Sequence, residues 1–200
     1  MAVPGFFTGA ALLPVFPKEA RMQRRGFIVT QEADMEEATL TCTPIGIIRT
    51  PFKTIEDMPI QPTGARGVAG SVAMRPELAP GLKDLEGFSH LILLYHFHRV
   101  SGYDLEVVPF LDDTPRGLFS TRAPRRPNPI GLSVVRLTSV EGATLRLEDI
   151  DVLDKTPLLD IKPFVPAFDA PTAERTGWLD GCLEEAVSRR SDHRFAGGGA

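Results

Sequence analysis

Arg122, Arg125 and Arg126 stand directly before Pro127-Asn128-Pro129 in the stretch Phe119–Ser133, FSTRAPRRPNPIGLS. Guanidinium groups clustered in this way suit the recognition of carboxylates or phosphates. Two prolines around one Asn fix the backbone and bias each preceding residue away from helix. An Asn on a stiffened loop keeps its amide donor and acceptor still, as a pre-organised site requires, and an amide can pair with the N6/N7 edge of adenine. The same residues also describe a rigid turn whose Asn caps its own backbone and whose arginines are solvated. Local chemistry leaves both readings open.

A second constellation lies in Asp149–Pro163, DIDVLDKTPLLDIKP. Three carboxylates, Asp151, Asp154 and Asp160, stand close to Lys155 and Lys162. Asp154-Lys155-Thr156-Pro157 reads as a tight turn whose backbone groups can face a ligand. Asp160 and Lys162 fall on one side of a strand because the side-chain period is two. The alternative is an ordinary turn followed by a surface ion pair, which stabilises little. A third group is His90, His96 and His98, with His96 and His98 on a common face of an extended chain. No third ligand at diagnostic spacing accompanies them, so a polar strand end pointing into a pocket is expected rather than a metal site. The sequence has no Gly-rich phosphate motif, no GxSxG and no CxxC.

These groups need elements to hold them. Two hundred residues suffice for one domain with a core. Eighteen prolines and eighteen glycines favour short strands and punctuated loops over long helices. Strand-like runs are Pro44–Thr50, Gly67–Met74 and Leu158–Lys162, with Ile130–Val140 and Ala143–Ile150 as a hairpin around Glu141-Gly142. Ser89–Phe97, SHLILLYHF, is apolar on both faces and predicts a strand buried on both sides. Leu78–Leu85 predicts a turn or two of helix before Gly87. Helical spacing of Trp178, Leu179, Cys182, Leu183, Ala186 and Val187 predicts an amphipathic helix over 177–189. Short strands with little helix between them indicate a mainly β fold, a barrel or strongly curved sheet.

The net charge of −4 gives no whole-molecule signal for nucleic acid. Its distribution does allow a local basic surface, since Arg116, Arg122, Arg125 and Arg126 are clustered while acids gather at Glu32–Glu37, Asp112–Asp113 and Glu184–Glu185. Two cysteines, Cys42 and Cys182, are too few for a disulfide framework, which suits a reducing, cytoplasmic setting. No apolar stretch reaches the ~18 residues of a membrane span. Phe6–Phe16 is apolar, but it is interrupted by Pro14 and followed rather than preceded by arginines, the wrong order for a signal peptide. Residues 1–40 therefore read as a poorly ordered extension, with Met22 and Met35 as alternative starts. Residues 41–170 read as the core domain, and 171–200 as a C-terminal helix with a frayed tail.

FSTRAPRRPNPIGLS, preceded by FSHLILLYHFHR and followed by DVLDKTPLLDIKPF, resembles the TsaA-like/YaeB family over roughly Pro44–Asp169. The resemblance implies a compact β-barrel that dimerises and binds S-adenosylmethionine near the subunit interface. It also implies methylation of N6 of threonylcarbamoyl-adenosine at tRNA position 37, in the anticodon loop. The cofactor contacts it implies are Pro59, Ile60, Gln61, His98, Arg99, Arg122 and Leu132, with Asp151, Leu153, Asp154, Lys155 and Thr156 from the turn. Backbone groups near Leu132 and Leu153–Thr156 would read adenine, and an arginine would hold the cofactor carboxylate. Asn128 and Asp160 are the catalytic candidates, for orienting or relieving the N6 proton. Arg125, Arg126 and Lys162 are the candidate substrate contacts, and no metal is expected.

Two positions depart from the family pattern: Lys155 stands where Gly is usual, and Phe164 where Tyr is common. Fewer residues follow the core than in the longer bacterial enzymes, which carry a further C-terminal domain. Two other readings remain: a methyltransferase of the same fold acting on a small molecule, and a non-catalytic module that binds S-adenosylmethionine or RNA.

Overall fold

A computed structural model describes residues 40–56 and 58–195. The extension expected over 1–40 lies, apart from Leu40, outside the described residues, as do residues 196–200 of the tail. The strands are β1 (Gly46–Arg49), β2 (Gly70–Met74), β3 (His90–His96), β4 (Glu106–Val107), β5 (Arg116–Gly117), β6 (Ile130–Glu141), β7 (Thr144–Glu148) and β8 (Thr156–Pro163). Six of them close into a barrel in the order β1-β2-β7-β6-β3-β8, and β4 pairs with β5 as a separate small sheet. Every pairing is antiparallel. Closure gives every barrel strand two partners and leaves no edge open.

A small barrel must fill its interior with side chains. Here Ile48, Val72, Met74, Leu91, Leu93, Tyr95, Val135, Leu137, Leu145, Leu147 and Leu158 all point inward and are buried. Each fully buried Leu or Ile contributes roughly 1.5–3 kcal/mol of transfer free energy. The hairpin expected between β6 and β7 forms, with Gly142 and Ala143 as the turn; Gly142 has φ of 61°. β8 ends at Pro163 as the sequence indicates.

Three expectations need correction. β3 is buried on one face only: Leu91, Leu93 and Tyr95 are buried, whereas His90, Ile92, Leu94 and His96 lie half-exposed on the outer wall. A barrel has a single inside, and among the described residues no helical layer covers this wall. Leu78–Leu85 forms 3-10 turns, Pro76–Leu82 and Leu85–Gly87, not α-helix. The helix expected over 177–189 is likewise replaced by two 3-10 turns, Gly177–Leu179 and Leu183–Val187. Gly177 and Gly181 raise the backbone entropy cost of a helix there. The apolar stripe also finds little to cover it, because Leu183 and Val187 stay about half exposed.

Lys155 sits at φ of 65° in the turn between β7 and β8. That left-handed conformation is the physical reason a glycine suits the position, and the lysine adopts it at some cost.

Candidate functional site

The residues with chemical potential gather where β3, β6 and the turn before β8 meet. Tyr95 and Ser133 are both on inward registers of paired strands. The Tyr95 hydroxyl lies 3.0 Å from Ser133 Oγ, and Ser133 Oγ donates to Asp151 Oδ1 at 2.6 Å. With Asp151 ionised, Ser133 spends its one proton on the carboxylate, so Tyr95 must be the donor to Ser133. The chain of donation therefore runs from the barrel interior to Asp151.

Burial raises the Asp151 carboxyl to about 6, against the pull of the Ser133 hydrogen bond and of the Arg122 charge. Burial, followed by the charge of Asp151, holds Tyr95 well above the ordinary phenol range, so it stays a donor. Arg122 is thus within electrostatic reach of both groups. Its Nη1 donates to Gln61 Oε1 at 3.0 Å. Gln61, Arg122, Ser133 and Asp151, from four separate segments, form one connected set of charged and hydrogen-bonding groups.

A second set adjoins the turn before β8. Thr156 Oγ1 donates to Leu153 O at 2.7 Å and lies 3.3 Å from His98 Nδ1. β3 ends at His96, and His98 is carried into the following turn, so the two do not share a strand face as expected. Burial, with the charges of Arg99 and His96, lowers the His98 pKa and keeps its ring neutral. Arg99 is exposed beside it, and Pro59 is buried with Ile60 half-buried before Gln61.

The turn itself is less available than the sequence suggests. The N–H of Asp154 donates to Phe52 O at 2.8 Å and that of Lys155 to Ile48 O at 2.9 Å. The Asp154 carboxylate accepts the Thr50 N–H at 3.1 Å and pairs with Lys53 Nζ at 2.8 Å. Burial would raise its pKa, but Lys53 and the Thr50 amide outweigh it and hold it below the usual range. Asp154 therefore anchors the turn to β1.

Asp160, Leu132 and Lys162 occupy the outer wall. Leu132 and Asp160 both pair with Leu94, from opposite sides of β3. Asp160 Oδ2 is bound by Lys162 Nζ at 2.8 Å, the same-face ion pair expected from the sequence. Ile130 and Leu132 are 46% and 51% exposed on this wall, beside the half-buried Ile92, Leu94 and Val134. Asn128 is exposed just ahead of β6, where its carbonyl accepts the Ile130 N–H at 2.7 Å.

Two of the loop arginines are committed to partners within the protein. Arg126 Nη1 donates to Thr121 O at 3.0 Å, and its guanidinium covers the Phe119 ring at 5.6 Å. Arg125 Nη2 pairs with Asp104 Oδ2 at 3.3 Å. Arg122 is exposed and turned toward Gln61 and Asp151. Sequence reading missed Tyr95 and Ser133. The available signal was a hydroxyl on the inward register of an otherwise apolar strand, where a polar residue is the informative exception.

Comparison with known proteins gives a consistent result. The model of the tRNA-methyltransferase O N-terminal domain matches residues 47–170. A probable S-adenosyl-L-methionine-binding protein of Pyrococcus abyssi is 52% identical over 152 residues, which cover 76% of this chain and 83% of the relative. A tRNA (adenine(37)-N6)-methyltransferase of Mus musculus is 35% identical over 68% of this chain, but the match spans only 33% of that protein. The crystal structure of TrmO from Pseudomonas aeruginosa, 41% identical, superposes with a TM-score of 0.60 over 71% of this chain and 63% of that one.

Proposed function

We propose, from the premise that this chain belongs to the tRNA-methyltransferase O family, that it transfers a methyl group from S-adenosylmethionine to N6 of an adenosine at tRNA position 37. The observation that carries the reading is the convergence of Gln61, Arg122 and Asp151 from three distant segments. Its donor set fits the cofactor, which brings a carboxylate, an ammonium, a sulfonium and hydrogen-bonding ribose and adenine. Arg122 offers a guanidinium for the carboxylate. Asp151 offers an anion whose desolvation the fold already sustains. His98, neutral, and Thr156 offer uncharged hydrogen-bonding groups.

S-adenosylmethionine supplies an electrophilic methyl on sulfur, and its transfer depends chiefly on holding nucleophile and methyl close and aligned. The chain's own part is to orient the acceptor and take up its proton. Asn128 and Asp160 are our candidates for that, with Lys162 holding the Asp160 carboxylate in place. Both lie with Leu132 at or beside the exposed apolar wall. We therefore place the acceptor against a second copy of the chain, docked through Ile130 and Leu132, in a cytoplasmic homodimer. Light scattering that gives the mass of one chain at micromolar concentration would end the dimer part of this reading.

A small-molecule acceptor is the second reading, favoured by the commitment of Arg125 and Arg126 to internal partners. Incubating the full chain with methyl-labelled cofactor and tRNA, with and without threonylcarbamoylation at adenosine 37, decides between the two. Labelled N6-methyl nucleoside from the modified tRNA is expected, with yield falling as salt rises. No transfer to either tRNA, from protein that binds the cofactor, would rule out the tRNA substrate.

A further inference from the structure

Residues 177–195 cross over both loops that carry Gln61 and Arg122. The Trp178 indole Nε1 donates to Ser120 O at 2.8 Å, two residues before Arg122, while Arg116 packs over the indole ring at 5.8 Å. At the other end, Met58 N donates to Ser191 Oγ at 3.0 Å, Ser191 N donates to Met58 O at 2.8 Å, and Ser191 Oγ donates to Ile55 O. Pro59 and Arg190 form an antiparallel bridge. A methyl added to Gly64 would stand 2.9 Å from Val187 O, so the loop and the crossing segment are in close contact. Phe195 packs edge-on against Phe110 at 5.1 Å and joins the small core of Val107, Leu118 and Ala123 beneath the Arg122 loop.

The barrel itself does less for these loops. Arg122 and Gln61 sit on irregular connections, and their mutual hydrogen bond is exposed. Irregular segments with exposed hydrogen bonds open at low free energy unless something else fixes them. The segment that fixes them lies beyond residues 47–170, the span matched by the family model.

We infer that residues 177–195 are a strap that sets the spacing of the Gln61 and Arg122 loops, with Trp178 and Ser191 as positioning residues for cofactor binding. The inference rests on the cofactor reading above. Both residues act through their neighbours, Trp178 through Ser120 and Ser191 through Met58 and Ile55. Each removes freedom that the cofactor would otherwise have to remove on binding.

The test uses the full chain and the variants Trp178→Phe, Ser191→Ala, their double variant and Ser191→Thr. Calorimetry measures S-adenosylmethionine affinity, and amide hydrogen exchange without ligand follows residues 58–64, 119–123 and the strands β3 and β6. Each single variant is expected to weaken the cofactor about fivefold, the net worth of an ordinary hydrogen bond, although Ser191→Ala removes two and Trp178→Phe one. Ser191→Thr, which keeps the hydroxyl, is expected to stay near wild type. Exchange should quicken in the two loops and not in β3 or β6. A double variant whose Kd lies within twofold of wild type overturns the strap, as does faster exchange spread evenly through the barrel. If wild type itself binds no cofactor, the cofactor reading fails instead, and loop exchange still judges whether the strap holds the loops.

Discussion

Asp151→Asn raises stability at pH 8 and weakens S-adenosylmethionine binding. The Asp151 carboxyl is lifted from 3.8 to about 6 in the folded protein, mainly by burial. The folded chain therefore holds this proton more tightly than the unfolded chain, and between pH 4 and 6 it binds more protons. Stability from this group falls as pH rises through that window, by at most about 3 kcal/mol once both states are ionised. Asn carries no charge and can still accept from Ser133. The variant should be more stable than wild type by roughly 2–3 kcal/mol at pH 8, and the gain should vanish near pH 4. Urea melts at the two pH values measure it; a stability difference independent of pH would refute the assignment.

The same substitution removes the anion beside Arg122. Losing a charged hydrogen-bond partner costs about 1.5–3 kcal/mol, so cofactor Kd should rise roughly tenfold to a hundredfold. Wild-type affinity should weaken on acidification below pH 6, and the Asn variant should lack that dependence. Together the two outcomes would make Asp151 a case of the usual trade between stability and function.

Gly131→Ala is expected to be among the most damaging single changes in the barrel. Gly131 pairs directly with Tyr95 across β6 and β3, and an added Cβ would stand 2.2 Å from Cε2 and 2.5 Å from Cζ of that ring. The ring has nowhere to retreat: its hydroxyl is bound to Ser133, and Phe97 meets it edge-on at 5.4 Å. Overpacking of this severity costs about 3 kcal/mol. For a domain of this size that lowers Tm by roughly 6–12 °C. Tyr95→Leu makes room, so the double variant should be more stable than the sum of the single effects by over about 1 kcal/mol. Strict additivity, or a Gly131→Ala variant within about 1 kcal/mol of wild type, would contradict the packing described here.

Much of the fold was legible in local pattern. Period-two alternation marks β6 and β7, proline marks the end of β8, and the abundance of turn residues excludes long helices. The three motifs placed Arg122, Asp151, His98 and Thr156 among the candidates, and the family resemblance they carry added Gln61. An apolar stripe at helical spacing over 177–189 could not report that Leu183 and Val187 stay about half exposed. Nor could SHLILLYHF show that its second face meets solvent, because burial depends on what lies across the barrel.

What the sequence determined by itself is therefore the set of six barrel strands, though not the small β4–β5 pair, together with the stiff Pro-Asn-Pro loop and the family to which the motifs belong. Only the tertiary structure decided which charges meet. The Arg122–Gln61 contact spans 61 residues of chain, Tyr95–Ser133 spans 38, and both depend on register and on loop docking after closure. It also separated Arg122 from Arg125 and Arg126, which are identical in type and adjacent in sequence but bind Asp104 and backbone carbonyls instead. Residue type and period act over a few neighbours. The partner that fixes a charge, and the burial that shifts it, are properties of the closed barrel.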